Sequence, residues 1–166
     1  MVISRFFKGK LGLKASSGED PDTAKMIKLS LVAPNSNQRL SLTAHESYQI
    51  HVNQGKENTI TITGEWPSGV FYGIQTLLAL MDDEGLVPQV SIKDSPRFSY
   101  RGLMVDVGRN FIPKQEILKL LDAMALYKMN KFHFHLSENE GWRLEIPALE
   151  ELSQVRINTR IKKLME

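Results

Sequence analysis

The chain has 166 residues, 42% of them hydrophobic and 24% charged, which fits a globular protein of one large domain or two small ones. It has no cysteine, and this excludes disulfides, thiol nucleophiles and thiolate metal sites. The formal net charge of +2, from 21 basic and 19 acidic residues, is too balanced to point to nucleic acid. There is no P-loop, no G-x-G-x-x-G and no basic cluster interleaved with aromatics. The opening MVISRFFKGKLGLKA lacks the apolar h-region of a signal peptide, and no run of about 18 apolar residues reads as a membrane span. The compartment stays open: a leader removed from a parent chain would put that parent in the periplasm or outside the cell.

GLKASSGEDPDTAK is rich in Gly, Ser and Pro and reads as a loop. MIKLSLVA (Met26 to Ala33) alternates and reads as a strand. SYQIHVN (Ser47 to Asn53) and NTITITG (Asn58 to Gly64) alternate with period two across a turn-like QGKE, the pattern of a hairpin. Val70, Ile74, Leu77, Leu78 and Met81 share one face at helical spacing, predicting a helix from about Ser68 to Met81. Asp82, Asp83 and Glu84 oppose the dipole at its end, so that terminus is expected to fray into a solvated loop. PQVSIKD is a short strand. The first part is thus an α+β unit, an antiparallel sheet with a helix.

The second part follows another grammar. SYRGLMVDV (Ser99 to Val107) is nearly continuous in apolar residues, as a strand covered on both faces would be. After the loop GRNFIPKQ, Pro113 suits a first helical turn. Ile117, Leu120, Leu121, Met124 and Ala125 form one stripe from Lys114 to about Tyr127, which Asn130 breaks. KFHFHLS is the next strand. Strand, helix, strand at this spacing is a parallel βαβ unit. ALEELSQVRINTRIKKLME offers one more helix of weak periodicity. There is no internal repeat and no low-complexity segment.

Sites in parallel α/β folds lie at the carboxyl ends of strands, and two clusters fall there. The first is Asp106-Val-Gly-Arg109-Asn110. Arg109 presents a planar fork of donors that suits sugar hydroxyls or carboxylates; equally, it is a surface arginine or a structural partner of Asp106. The second is His133 to Trp142. His133 and His135 share a strand face, with Phe132, Phe134 and Leu136 on the other. H-x-H with Glu138 has the makings of a metal site, but a pair of hydrogen-bonded histidines inside a packed barrel is the preferred reading. Glu138 and Glu140 could serve as an acid/base pair or stand as solvated loop carboxylates. Trp142 is an apolar wall for a sugar ring, or core.

These residues and their order resemble a known family. SPRFSYRGLMVDVGRNFIPKQEILKLLDAMALYKMNKFHFHLSENEGWRLEIPALEEL is similar to the opening of the catalytic domain of family 20 glycoside hydrolases, the β-N-acetylhexosaminidases. The family pattern there is a Pro-Arg-Phe entry, R-G-x-x-x-D-x-x-R-H-F-x-P, a helix ending A-x-x-K-x-N, then H-x-H-L-x-D-D-x-G-W-R. ENTITITGEWPSGVFYGIQTLLALM resembles the end of the small α+β domain placed before the barrel in these enzymes. The resemblance runs from about Lys28 to Leu152.

It implies an α+β domain over residues 1–96, followed over 97–166 by the start of a (β/α)8 barrel, its first βαβ unit. It implies removal of terminal β-linked N-acetylglucosamine or N-acetylgalactosamine from an oligosaccharide or glycoconjugate, with retention and without a cofactor. The sugar's own acetamido oxygen is the nucleophile. By the resemblance Arg109 binds hydroxyls of the terminal sugar, and Asp106, His135, Glu138 and Trp142 belong to the active-site rim. Three positions depart from the family: Asn110 replaces a histidine, and Glu138-Asn139 replaces an aspartate pair. No Asp-Glu pair in a G-G-D-E-like context is present; the only D-E is Asp83-Glu84.

The expectation is therefore an N-terminal fragment or truncated product with no catalytic residue of its own, inactive alone. From Ser99 on it holds far fewer than the about 250 residues of a full barrel. Bare apolar strand edges of such a partial barrel favour self-association or element swapping. A non-catalytic carbohydrate-binding or accessory module is the alternative.

Overall fold

The computed structural model describes residues 26–33, 43–53, 59–139 and 141–152. The chain divides into two compact units between Ser99 and Tyr100. No helix among the described residues is long and apolar enough to cross a membrane.

The first unit is a four-stranded sheet in the order β1-β3-β2-β4, with one helix. The strands are β1 (Met26–Leu31), β2 (Tyr48–Asn53), β3 (Thr59–Gly64) and β4 (Val90–Asp94). The alternation of β2 is realised without exception: Tyr48, Ile50 and Val52 are buried while Gln49, His51 and Asn53 are exposed. β2 and β3 are antiparallel with Ile50 opposite Ile62, as the hairpin reading expects. The turn residues 54–58 lie outside the described residues.

The sheet is not antiparallel throughout. β1 pairs with β3 in parallel register, Met26 with Thr59 and Leu31 with Gly64, so the sheet is mixed. The expectation fails because it lays strands down in chain order. β2 turns back on itself and places β3 between β1 and β2, and β3 runs in the same direction as β1.

Helix α1 (Pro67–Leu80) opens with proline, whose missing N–H costs nothing in a first turn. Trp66 precedes it in extended conformation, with its indole stacked on His45 at 4.4 Å. Val70, Ile74 and Leu77 join Tyr48, Ile50, Val52 and Ile62 in the core. Gly73 lets the helix lie close on the sheet, since a Cβ there would stand 2.5 Å from Ile62 Cγ2. Gln75 is 1% exposed, and neither amide atom has a hydrogen-bond partner among the described residues.

The helix ends at Leu80, and Asp82, Asp83 and Glu84 lie exposed in a loop beyond it, as the charge run leads one to expect, but that loop is built as a turn. Asp82 Oδ1 accepts from the amides of Glu84 (3.1 Å) and Leu86 (2.7 Å), and Gly85 takes φ +80°. A short aspartate that bonds backbone two and four residues on builds a turn. The charge run hides that role.

The second unit pairs β5 (Gly102–Asp106) with β6 (Lys131–His135) in parallel register, joined by α2 (Lys114–Leu126). Pro113 precedes the first helical residue, and its carbonyl accepts from the amides of Glu116 and Ile117. The helix stops before Asn130 does anything. Lys128 takes φ +55°, its N–H reaches Ala125 O, and Met129 N–H reaches Met124 O at 2.8 Å. This pair of bonds is a Schellman motif, with lysine where glycine is usual. Asn130 ties the turn to β5 instead: its Oδ1 accepts from Arg101 N at 3.0 Å, while Arg101 Nε donates to Lys128 O at 2.8 Å. β7 (Ser137–Glu138) and β8 (Gly141–Trp142) form a small antiparallel hairpin beyond β6. The C-terminal helix expected from the sequence falls mostly outside the described residues.

Candidate functional site

Parallel register puts Asp106 beside His135, each the last residue of its strand. The ladder continues one step, since Val107 N donates to His135 O at 3.0 Å. The chain then turns over Gly108, and the turn brings Arg109 back onto Asp106. Arg109 N–H donates to Asp106 Oδ1 at 3.0 Å, and Arg109 Nε donates to Asp106 Oδ2 at 2.5 Å. The aspartate side chain is 16% exposed and the arginine 52%, so the carboxylate lies beneath and the guanidinium is presented to solvent.

The Arg109 amide on Asp106 is the largest influence on its carboxyl and holds it below the usual carboxylate range. Partial burial pushes the other way, and the Arg109 guanidinium and then His135 add to the lowering. Asp106 is thus an anion at neutral pH that fixes Arg109 and is not a proton donor.

His135 Nε2 lies 2.7 Å from Ser137 O. A carbonyl oxygen only accepts, so the ring proton sits on Nε2. The same nitrogen is 3.5 Å from Glu138 Oε2. Glu138 Oε1 accepts from the Asn139 amide, so its carboxylate folds back onto its own hairpin. Glu140 lies outside the described residues. His133 is exposed, its ring 6.4 Å from that of His135 and nearly parallel to it. Among the described residues no three His, Asp or Glu side chains converge as a metal site requires. Trp142 is half-buried on β8, and its indole N–H donates to Leu144 O at 2.6 Å.

The structure thus brings Asp106, Arg109, His135 and Glu138 to one end of the parallel pair, with Trp142 on the hairpin beside them. Sequence reasoning missed Arg143. Its Nε donates to Val107 O at 2.9 Å, its Nη2 to Gly108 O at 3.2 Å, and its guanidinium lies over the Phe111 ring at 5.4 Å. The signal was present: the G-W-R ending of the family pattern falls on Gly141-Trp142-Arg143.

The model of glycosyl hydrolase family 20, domain 2, matches residues 4–95, and that of the glycosyl hydrolase family 20 catalytic domain matches residues 98–163. N,N'-diacetylchitobiase of Vibrio harveyi is 53% identical over 105 residues, which are 62% of this chain and 12% of that protein. A beta-hexosaminidase of Vibrio vulnificus is 54% identical over 97 residues, 58% of this chain and 12% of the relative. The crystal structure of a GH20 exo β-N-acetylglucosaminidase from Vibrio harveyi in complex with N-acetylglucosamine superimposes with a TM-score of 0.67 at 30% identity. It covers 90% of this chain and 22% of the other. This chain therefore spans about an eighth of the length of the curated relatives it matches. The two matched regions follow one another along the sequence and together take in both units, and on that ground the chain belongs to glycosyl hydrolase family 20.

Proposed function

We propose that this chain supplies the N-terminal portion of a β-N-acetylhexosaminidase. In this reading residues 1–96 are the α+β domain before the catalytic domain, and residues 97–166 open a (β/α)8 barrel. Arg109 binds hydroxyls of the terminal N-acetylhexosamine, and Asp106 holds its guanidinium in place. His135 and Glu138 back that pair, and Trp142 walls the rim. The substrate is an oligosaccharide or glycoconjugate ending in N-acetylglucosamine or N-acetylgalactosamine, and the sugar's acetamido oxygen attacks its own anomeric carbon. The glutamic acid that protonates the leaving oxygen, and the aspartate that orients the acetamido group, come from residues not in this chain. Alone, the chain does not turn over substrate.

The observation that carries the reading is the Asp106–Arg109 pair at the carboxyl end of a parallel strand, the side of such folds on which sites form. The test is hydrolysis of a chromogenic β-N-acetylglucosaminide by the folded chain, with N-acetylglucosamine titrated by NMR into wild type and Arg109→Ala. Absence of turnover, with sugar-dependent shifts lost in Arg109→Ala, supports it. Turnover abolished by Glu138→Gln or Glu140→Gln overturns it. The exposed Met104, Leu118 and Phe134 support self-association of the second unit, and a monomer in sedimentation at high concentration would refute that part.

A further inference from the structure

The peptide unit that joins Gly108 to Arg109 is held at both ends. Its N–H donates to Asp106 Oδ1 at 3.0 Å, and its carbonyl accepts from Arg143 Nη2 at 3.2 Å. The carbonyl one residue earlier, Val107 O, accepts from Arg143 Nε at 2.9 Å. A single guanidinium therefore grips two consecutive peptide planes, the two that flank Gly108. Only a planar fork does this; an ammonium is a point donor on a flexible stem.

Arg143 is itself held. Its amide donates to Leu136 O at 3.0 Å, and its guanidinium lies on the Phe111 ring. Two glycines make the approach possible. A Cβ at Gly141 would overlap Gly108 O, and a Cβ at Gly108 would stand 3.0 Å from Glu138 Cβ. Backbone thus packs on backbone, and the hairpin that carries Glu138 and Trp142 is keyed into the turn that carries Arg109.

We propose that Arg143 is a positioning residue for the Asp106–Arg109 pair: by fixing the peptide planes on both sides of Gly108, it aims the Arg109 amide at Asp106 and sets where the Arg109 guanidinium stands. The effect on sugar rests on the reading of Arg109 given above; the effect on Asp106 does not. A hydrogen bond accepted by the carbonyl also polarises the peptide and strengthens the bond its N–H donates. Asp106 is faced by Arg109 and His135, with Glu138 beyond the imidazole, and Arg143 reaches it only through backbone.

The test is the carboxyl 13C titration of Asp106 in the full 166-residue chain, for wild type, Arg143→Gln, Arg143→Lys and Lys119→Ala. Arg143→Gln is expected to move the Asp106 midpoint upward, toward the ordinary carboxylate range. Arg143→Lys moves it less. Lys119→Ala breaks an exposed pair with Glu116 on α2 and leaves it in place. In the same samples, N-acetylglucosamine-dependent shifts of the Arg109 Nε–H signal report an affinity weakened about tenfold in Arg143→Gln, the loss of one charge-assisted hydrogen bond's worth. A lowered melting temperature with an unchanged Asp106 midpoint would make Arg143 a mere staple of the hairpin and overturn the proposal. If Arg143→Gln does not fold, Phe111→Leu removes the ring under the guanidinium, and an unmoved midpoint there overturns it equally. If wild type shows no response to the sugar, the sugar reading of Arg109 falls, while the titration still decides the role of Arg143.

Discussion

Gly73→Ala sets two known effects against each other. Alanine in a helix interior is favoured over glycine by about 1 kcal/mol. The new methyl would stand 2.5 Å from Ile62 Cγ2 and 3.2 Å from Tyr48 Cδ2. Neither neighbour can give way. Ile62 is fully buried at the centre of the sheet, and the Tyr48 hydroxyl is bonded to Thr76 Oγ1 at 2.6 Å and Asp94 Oδ2 at 2.5 Å. Overpacking of this kind costs about 1–3 kcal/mol, and a methyl caught between two fixed side chains belongs in the upper half of that range. The net is a loss of about 1–2 kcal/mol, or a fall of about 0.5–1 M in urea midpoint at a slope near 2 kcal/mol/M. Trp66 reports the first unit alone in a Trp142→Phe background, because these are the two tryptophans of the chain. A double-mutant cycle sharpens the test. Ile62→Ala, which alone costs about 2–5 kcal/mol, should cost at least about 1 kcal/mol less in the Gly73→Ala background, where the added methyl fills part of the hole. A raised midpoint in Gly73→Ala, or strict additivity in the cycle, would refute the close approach of α1 to β3.

Lys128→Gly should stabilise the second unit by about 0.5–1 kcal/mol, because glycine takes φ +55° without the penalty lysine carries there; a thermal melt reading Trp142 in a Trp66→Phe background checks this. Asp106→Asn should remove the share of acid sensitivity that the Asp106 carboxyl contributes. The Asp106 carboxyl titrates below its usual range in the folded state, so its stabilisation is complete above the unfolded value and fades as pH falls through the folded one. The gap in stability between wild type and Asp106→Asn should therefore be constant near neutrality and close on acidification, as melts at stepped pH would read; a gap that widens in acid would contradict the sign.

Period-two and helical stripes made most elements legible. Tyr48, Ile50 and Val52 announce β2 by their spacing alone, and Val70, Ile74 and Leu77 announce α1. The order of strands was not legible, since nothing in MIKLSL says that its neighbour is the third strand and not the second. At the site, position alone grouped Asp106 with Arg109 and His135, because strand ends collect functional groups. The hairpin β7–β8 escaped detection since strands of two residues have no period. Arg143 escaped because its partners are backbone carbonyls 35 and 36 residues earlier, and carbonyls are the same under every side chain.

The place of β3 has a further consequence. TITITG alternates two β-branched residues with no charge and no proline, the profile of segments that stack between chains into cross-β fibres. In the native sheet both of its edges are occupied, by β2 on one side and β1 on the other. The β2 contact is local and forms with the hairpin, whereas β1 must close a gap of 33 residues, as from Met26 to Thr59, before it docks. Until then one edge of this strand stands open. β1 is therefore a guard as well as a strand: under conditions that detach β1 alone, the amides of Ile60, Ile62 and Gly64, which face it, should lose protection while those of Thr61 and Thr63, which face β2, keep theirs, and the chain should begin to form fibrils.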